Sequence, residues 1–142
     1  ILLALWKQVD ILVNNAGITR DGLLMRMGGK ETYKHAVRRM EMASHQCLAR
    51  VGMPESEISW IVPHQANIRI IEAIAKRFGV SMDRVYLTIE KYGNTSASSL
   101  GIALDELLRA QLLKEGNNVL LVAFGAGLTW GASILTATAE DL

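Results

Sequence analysis

The chain has 142 residues, half of them apolar and a fifth charged, which is a globular composition long enough for one compact domain. Fifteen basic residues against fourteen acidic ones leave a net charge of +1, so no global electrostatic pull toward nucleic acid or an anionic membrane exists. A single cysteine, Cys47, excludes an internal disulfide and fits a reducing, cytoplasmic setting.

The start, Ile1 to Trp6, is apolar, but Lys7 and Asp10 interrupt it before any membrane-span length is reached. It lacks a basic signal-peptide flank and does not begin with Met, so a fragment is expected. Val9 to Val13 reads as a short buried strand, followed by the polar turn Asn14-Asn15-Ala16-Gly17. Gly28-Gly29 marks a junction. From Lys30 to Val51 the apolar residues Tyr33, Val37, Met40, Cys47, Leu48 and Val51 recur near helical spacing, and Gly52 and Pro54 close the helix.

Ile58 to Val62 predicts a strand stopped by Pro63. Ile70, Ile71, Ile74 and Phe78 form one stripe of an amphipathic helix ending at Gly79. Val85 to Ile89 reads as a further strand. The polar loop Gly93 to Ser99 feeds a helix from about Ser98 to Leu113. Asn118 to Phe124 predicts a fully buried strand, and Ala132 to Thr138 a final one after the glycines at 125, 127 and 131. The order β-α-β-α-β-β implies an α/β fold, a mixed sheet packed with helices. No internal repeat or low-complexity tract is present.

Three places carry residues suited to chemistry. His64, in Pro63-His64-Gln65-Ala66-Asn67, stands between a strand and a helix, where ligands of α/β sheets usually bind. An imidazole there donates a hydrogen bond or moves a proton near neutral pH. Asn94, in Tyr92-Gly93-Asn94-Thr95-Ser96, offers uncharged N–H donors to a developing oxyanion. Phe124-Gly125-Ala126-Gly127 is small enough for backbone N–H groups to approach a substrate oxygen. Each has a plain alternative: a structural histidine, a helix-capping asparagine and an ordinary hairpin turn. Spacing alone leaves these alternatives open.

The wording is more specific. Gly29-Lys30-Glu31-Thr32-Tyr33-Lys34, WIVPHQANIRII over 60–71, KYGNTSASS over 91–99 and AFGAGLTWGA over 123–132 resemble, in order, the C-terminal half of the β-ketoacyl-acyl carrier protein (ACP) synthase III family. That resemblance, over about residues 28–138, implies a thiolase-like half and an acyltransferase of fatty-acid biosynthesis. The implied reaction is decarboxylative condensation of acyl-CoA with malonyl-ACP, with no cofactor and with CoA and ACP thioesters as substrates. It implies that His64 and Asn94 hydrogen-bond the malonyl thioester carbonyl, and that a backbone N–H at Ala126 serves a second oxyanion hole. It further implies that Asn67 contacts pantetheine and Arg69 contacts ACP. A homo-oligomer is expected, with neither nucleic acid, membrane nor metal as partner.

The family's cysteine nucleophile belongs to its other half. Ser44-His45-Gln46-Cys47-Leu48 does not resemble that cysteine motif, and Cys47 falls on the apolar stripe of its helix, so no nucleophile is assigned. The chain by itself is expected to lack full condensation activity. Half of a duplicated fold also exposes apolar surface, which makes a non-catalytic, self-associating fragment or fusion the alternative.

Val9 to Met27 resembles instead the middle of short-chain dehydrogenase/reductases, 3-oxoacyl-ACP reductase especially. That family's glycine-rich nucleotide loop and Tyr-x-x-x-Lys pair are missing, so an NADP-dependent reductase is the third reading. The expected division is residues 1–27 as a reductase-like segment, with Val9 to Val13 supplying a surrogate strand, and residues 28–142 as the synthase-like domain.

Overall fold

The computed structural model describes residues 29–140, and the expected strand Val9 to Val13 lies outside them. Helix α1 spans Gly29–Val51. Ala36, Val37, Met40, Ala43, Cys47 and Leu48 recur three or four apart and are all buried, so one face of α1 is core. Tyr33, expected on that face, is exposed instead. Glu31 in the first turn and Arg50 in the last suit the helix dipole. Gly52 ends the helix at φ +67°, and Met53 N–H donates to Leu48 O at 3.0 Å, a glycine C-terminal cap.

Three strands follow: β1 Ile58–Pro63, β2 Asn118–Gly125 and β3 Thr129–Thr136. They form a mixed sheet in the order β1-β2-β3, with β1 parallel and β3 antiparallel to the central β2. Between β1 and β2 lie helix α2 (Ile68–Arg77), the single turn α3 (Ile89–Tyr92) and helix α4 (Ser98–Arg109). Helices α1 and α2 cover one face of the sheet around Met40, Ile61, Ile71, Ile74, Leu120 and Ile134. Helix α4 covers the other around Val62, Ala103, Leu104, Leu107 and Val119. Full burial of each such side chain larger than alanine contributes about 2 kcal/mol, which is why the layers hold.

Three expectations are corrected. Val85 to Ile89 is not a strand: Val85 makes one parallel bridge to Ile61, and Tyr86 N–H donates to Ile61 O at 2.9 Å. Beyond Leu87, the Thr88 and Ile89 amides donate to the Gln65 side chain, which turns the chain off the sheet and into α3. Helix α4 stops at Arg109 rather than Leu113, because Gln111 adopts φ +53° and sends Leu113 back to the core. Strand β3 begins at Thr129, before the expected Ala132, since Trp130 and Gly131 already pair with Phe124 and Ala123.

At the amino end of β1 the strands are tied by Asn118. Its Nδ2–H donates to Glu57 O at 3.1 Å, Thr136 Oγ1–H donates to its Oδ1 at 2.7 Å, and its backbone N–H donates to Ser59 Oγ at 3.1 Å. A buried amide satisfied in this way fixes register. The opposite, carboxyl end of β1 and β2 is left for the candidate site.

Candidate active site

His64 is the first residue beyond β1. Its backbone N–H donates to Val122 O of β2 at 2.8 Å, so it continues the ladder by one bond and then leaves it. Phe124 and Gly125 follow on the same strand, and the 3-10 turn Ala126–Leu128 caps that end of the sheet. The turn needs Gly127 at φ +74°, a left-handed conformation. His64 and the Ala126 backbone therefore stand at one end of the sheet.

The His64 ring is half-buried. Its Nδ1 lies 2.6 Å from the Ser99 hydroxyl in the first turn of α4. Ser99 Oγ also accepts Gln65 N–H at 3.4 Å. Burial pushes the His64 pKa below its usual value, which keeps the ring neutral at neutral pH.

Asn94 comes five positions before Ser99, so the same contact draws its loop to His64's end of the sheet. The loop is sharply bent: Gly93 sits at φ 66°, ψ −154°, and Ser96 at φ 53°. Asn94 Oδ1 accepts Ser96 N–H at 2.9 Å, which orients the carboxamide and leaves both Nδ2 protons without a protein partner among the described residues. Asn94 is exposed and is not the cap of α4; that position is Ala97, which makes no side-chain cap bond. Lys91 Nζ donates to Glu106 Oε1 of α4 at 2.5 Å, and Tyr92 Oη donates to the same oxygen, so the two ends of the Asn94 loop are joined outside it.

Sequence reasoning missed two residues at this site. Gln65 is completely buried and uses every hydrogen-bonding atom of its amide. Its Nε2 donates to Pro63 O at 2.8 Å and Tyr86 O at 3.1 Å, and its Oε1 accepts Thr88 N–H at 2.9 Å and Ile89 N–H at 3.0 Å. Gln65 thereby locks the His64 turn to the segment that leads into Asn94. Ser99 is the second, and its signal was present: a hydroxyl occupies the 99, 103, 107 stripe of α4 where alanine and leucine otherwise stand.

The remaining candidates are spread around this end. Asn67 is the N-cap of α2, its Oδ1 accepting Arg69 N–H at 3.0 Å. Arg69 is exposed in the first turn of α2 and makes no ion pair among the described residues. Cys47 is buried between α1 and the sheet, and burial raises its thiol pKa, the state of an inert core thiol. His45, two positions away, is exposed, 3.2 Å from Glu55 and tilted against Phe78. Among the described residues no group of three or more His, Cys, Asp or Glu could hold a metal ion, and no helix is long and apolar enough to cross a membrane.

The three-layered half-sheet is a thiolase-like α/β fold. It superposes on the crystal structure of 3-oxoacyl-[acyl-carrier-protein] synthase III from Aquifex aeolicus with a TM-score of 0.75 at 45% identity, covering 79% of this chain and 36% of that one. In sequence, residues 48–137 match the family described as 3-oxoacyl-[acyl-carrier-protein (ACP)] synthase III C terminal, and the chain belongs to that family. It is 62% identical over 109 residues to the β-ketoacyl-[acyl-carrier-protein] synthase III of Chlamydia trachomatis, covering 77% of this chain and 33% of that protein. It is 50% identical over 111 residues to the Coxiella burnetii protein of the same name, covering 78% and 35%. The chain thus spans about a third of the length of these relatives.

Proposed function

We propose that the chain is the decarboxylating half of a β-ketoacyl-ACP synthase III active site. One observation carries the reading: the half-buried His64–Ser99 contact brings an imidazole and the Asn94 loop to the carboxyl end of β1. In the step proposed, the bond between the malonyl α-carbon and its carboxylate breaks and carbon dioxide leaves. The electron pair moves through the α-carbon into the thioester carbonyl, whose oxygen becomes an enolate oxygen. His64 Nε2–H and Asn94 Nδ2–H donate to that oxygen. Two neutral donors suit this task, since neither must lose a proton as the charge grows.

The enolate carbon then attacks an acyl thioester, forming the new carbon–carbon bond and expelling thiolate, and the Ala126 backbone N–H serves the oxyanion of that second step. The acyl-bearing thiol is not Cys47, which is the only cysteine of the sequence and is buried. The nucleophile must come from a second polypeptide segment. Asn67 is assigned to pantetheine and Arg69, exposed and unpaired among the described residues, to the acidic carrier protein. Acyl-CoA and malonyl-ACP are the substrates, no cofactor is required, and the setting is cytoplasmic.

The test is malonyl-ACP decarboxylation by the purified chain mixed with a nucleophile-bearing synthase III half. Carbon dioxide release is expected, falling by about 10²- to 10³-fold in His64→Ala and Asn94→Ala. Release that is the same in both variants as in the unaltered chain would overturn the assignment.

The second reading, a self-associating fragment, is favoured by one observation: β3 is paired with β2 along one edge only among the described residues. A monomer at all concentrations on size-exclusion chromatography removes it. The reductase-like kinship of residues 9–27, and with it the division at residue 28, belongs to the same proposal. Hydrogen exchange at the Ile11 and Leu12 amides tests the surrogate strand, and NADPH binding tests the reductase reading.

A further inference from the structure

We infer that Ser99 is a positioning residue that fixes the tautomer of His64, so that the ring's only proton is carried on Nε2. The inference rests on the proposed role of His64 for its catalytic meaning, and on geometry alone for the tautomer itself.

Hydrogen-bond satisfaction at Ser99 decides the tautomer. Ser99 is 1% exposed, so its hydroxyl proton must be donated within the protein. A serine hydroxyl has one proton to give and two lone pairs to receive. Among the described residues Ser99 Oγ has two neighbours in reach, Gln65 N–H at 3.4 Å and His64 Nδ1 at 2.6 Å. The first is a backbone amide and can only donate. The hydroxyl proton is therefore left with one acceptor, the Nδ1 lone pair. Were Nδ1 protonated instead, Ser99 Oγ would receive two N–H groups and its own proton would be buried without a partner.

The polarity then runs one way. Gln65 N–H donates to Ser99 Oγ, Ser99 O–H donates to His64 Nδ1, and Nε2–H is left for a ligand. Each donation makes the next donor slightly stronger. Burial, which keeps the ring neutral, favours the same state, because a doubly protonated ring would also place N–H against the hydroxyl. Helix α4 supplies the rigidity: Ser99 is locked in its first turn, with Ala103 and Leu107 below it in the core. Its neighbour Ser98 is exposed and cannot substitute.

The test uses the full chain labelled with 15N-histidine, above the His64 titration range. The expected spectrum shows His64 as a single neutral tautomer, with Nδ1 bare and Nε2 protonated, and a Ser99 hydroxyl proton protected from exchange and close to Nδ1. Ser99→Ala is expected to convert this into a mixture of both tautomers while amide shifts in β2 and β3 stay in place. A proton on Nδ1 in the unaltered chain would overturn the inference, and so would a Ser99→Ala spectrum still holding one tautomer. If Ser99→Ala does not fold, the spectrum of the unaltered chain decides alone. In the two-half decarboxylation assay, Ser99→Ala is expected to lower kcat with KM unchanged. Absence of decarboxylation in every variant would sink the functional reading and leave the tautomer assignment to the spectrum.

Discussion

Gln65 Oε1 receives the Thr88 backbone N–H at 2.9 Å across a gap in sequence of 23 positions, and this bond sets where the Asn94 loop begins. The same amide gives two protons to the carbonyls of Pro63 and Tyr86. Gln65→Glu removes those donors and puts carboxylate oxygens against carbonyl oxygens. The variant is expected to lose about 3 kcal/mol in urea unfolding at neutral pH. The introduced carboxyl is buried, so its folded-state pKa is raised, and the deficit should grow as pH rises through the carboxylate range and shrink in acid. An unchanged midpoint at neutral pH would show that the lock is unimportant.

His64 gives a pH dependence of definite sign. Its folded-state pKa lies below the ordinary 6.5 because burial disfavours the imidazolium. The unfolded chain therefore takes up the proton first as pH falls. Between the folded and unfolded values stability rises with pH, and above the unfolded value the contribution is fully present. A titration of the His64 ring by NMR should have its midpoint under 6.5, and His64→Gln should remove that part of the stability slope.

Glu106 closes the Asn94 loop from outside. Its hydrogen bond from Lys91, then that from Tyr92, hold its carboxyl below the usual range, and the same Lys91 bond to Glu106 raises Lys91. The depressed carboxyl stabilises above its unfolded value and loses this effect as pH falls through its folded one. The raised ammonium keeps its own contribution until strongly alkaline pH. Glu106→Gln is expected to loosen the loop at neutral pH, read as faster amide exchange at Gly93 and Ser96. The difference from the unaltered chain should fade in acid and in high salt.

Gly93 adopts φ 66°, ψ −154°, a region essentially restricted to glycine. A Cβ there meets nothing within 4 Å, so a substitution fails by backbone conformation and not by crowding. Gly93→Ala is expected to cost about 1–3 kcal/mol or to shift the loop instead. Thermal unfolding measures the first outcome, and Asn94 side-chain amide shifts the second.

Much of this architecture was legible in the sequence, and the exceptions have physical causes. Helices α1 and α2 announced themselves by apolar spacing, with Gly52 as an explicit stop, and the start of α4 by the polar loop before it. Strand β2 was legible from its continuous apolar run NVLLVAF, although Leu121 and Ala123, expected to be fully buried, are half-buried where their face opens toward the carboxyl end. Val85 to Ile89 misled because its β-branched composition is real, whereas the partner that diverts it is a side chain from a distant turn. Local pattern cannot report such a long-range bond. His64 and Asn94 were singled out by residue type and by the wording around them. Gln65 and Ser99 were overlooked because their work is done inward, and neither offers an atom to a ligand.

Among the described residues the bonds that hold His64 in place, to Val122, to Ser99 and through Gln65 to Tyr86 and Thr88, are all made within this one polypeptide stretch. The aim of the imidazole is therefore inherited from the fold of a single half and owes nothing to docking. In the proposed reaction a thiol-bearing companion then has only to arrive at a surface whose donor is already held, so assembly and chemical readiness are separable events.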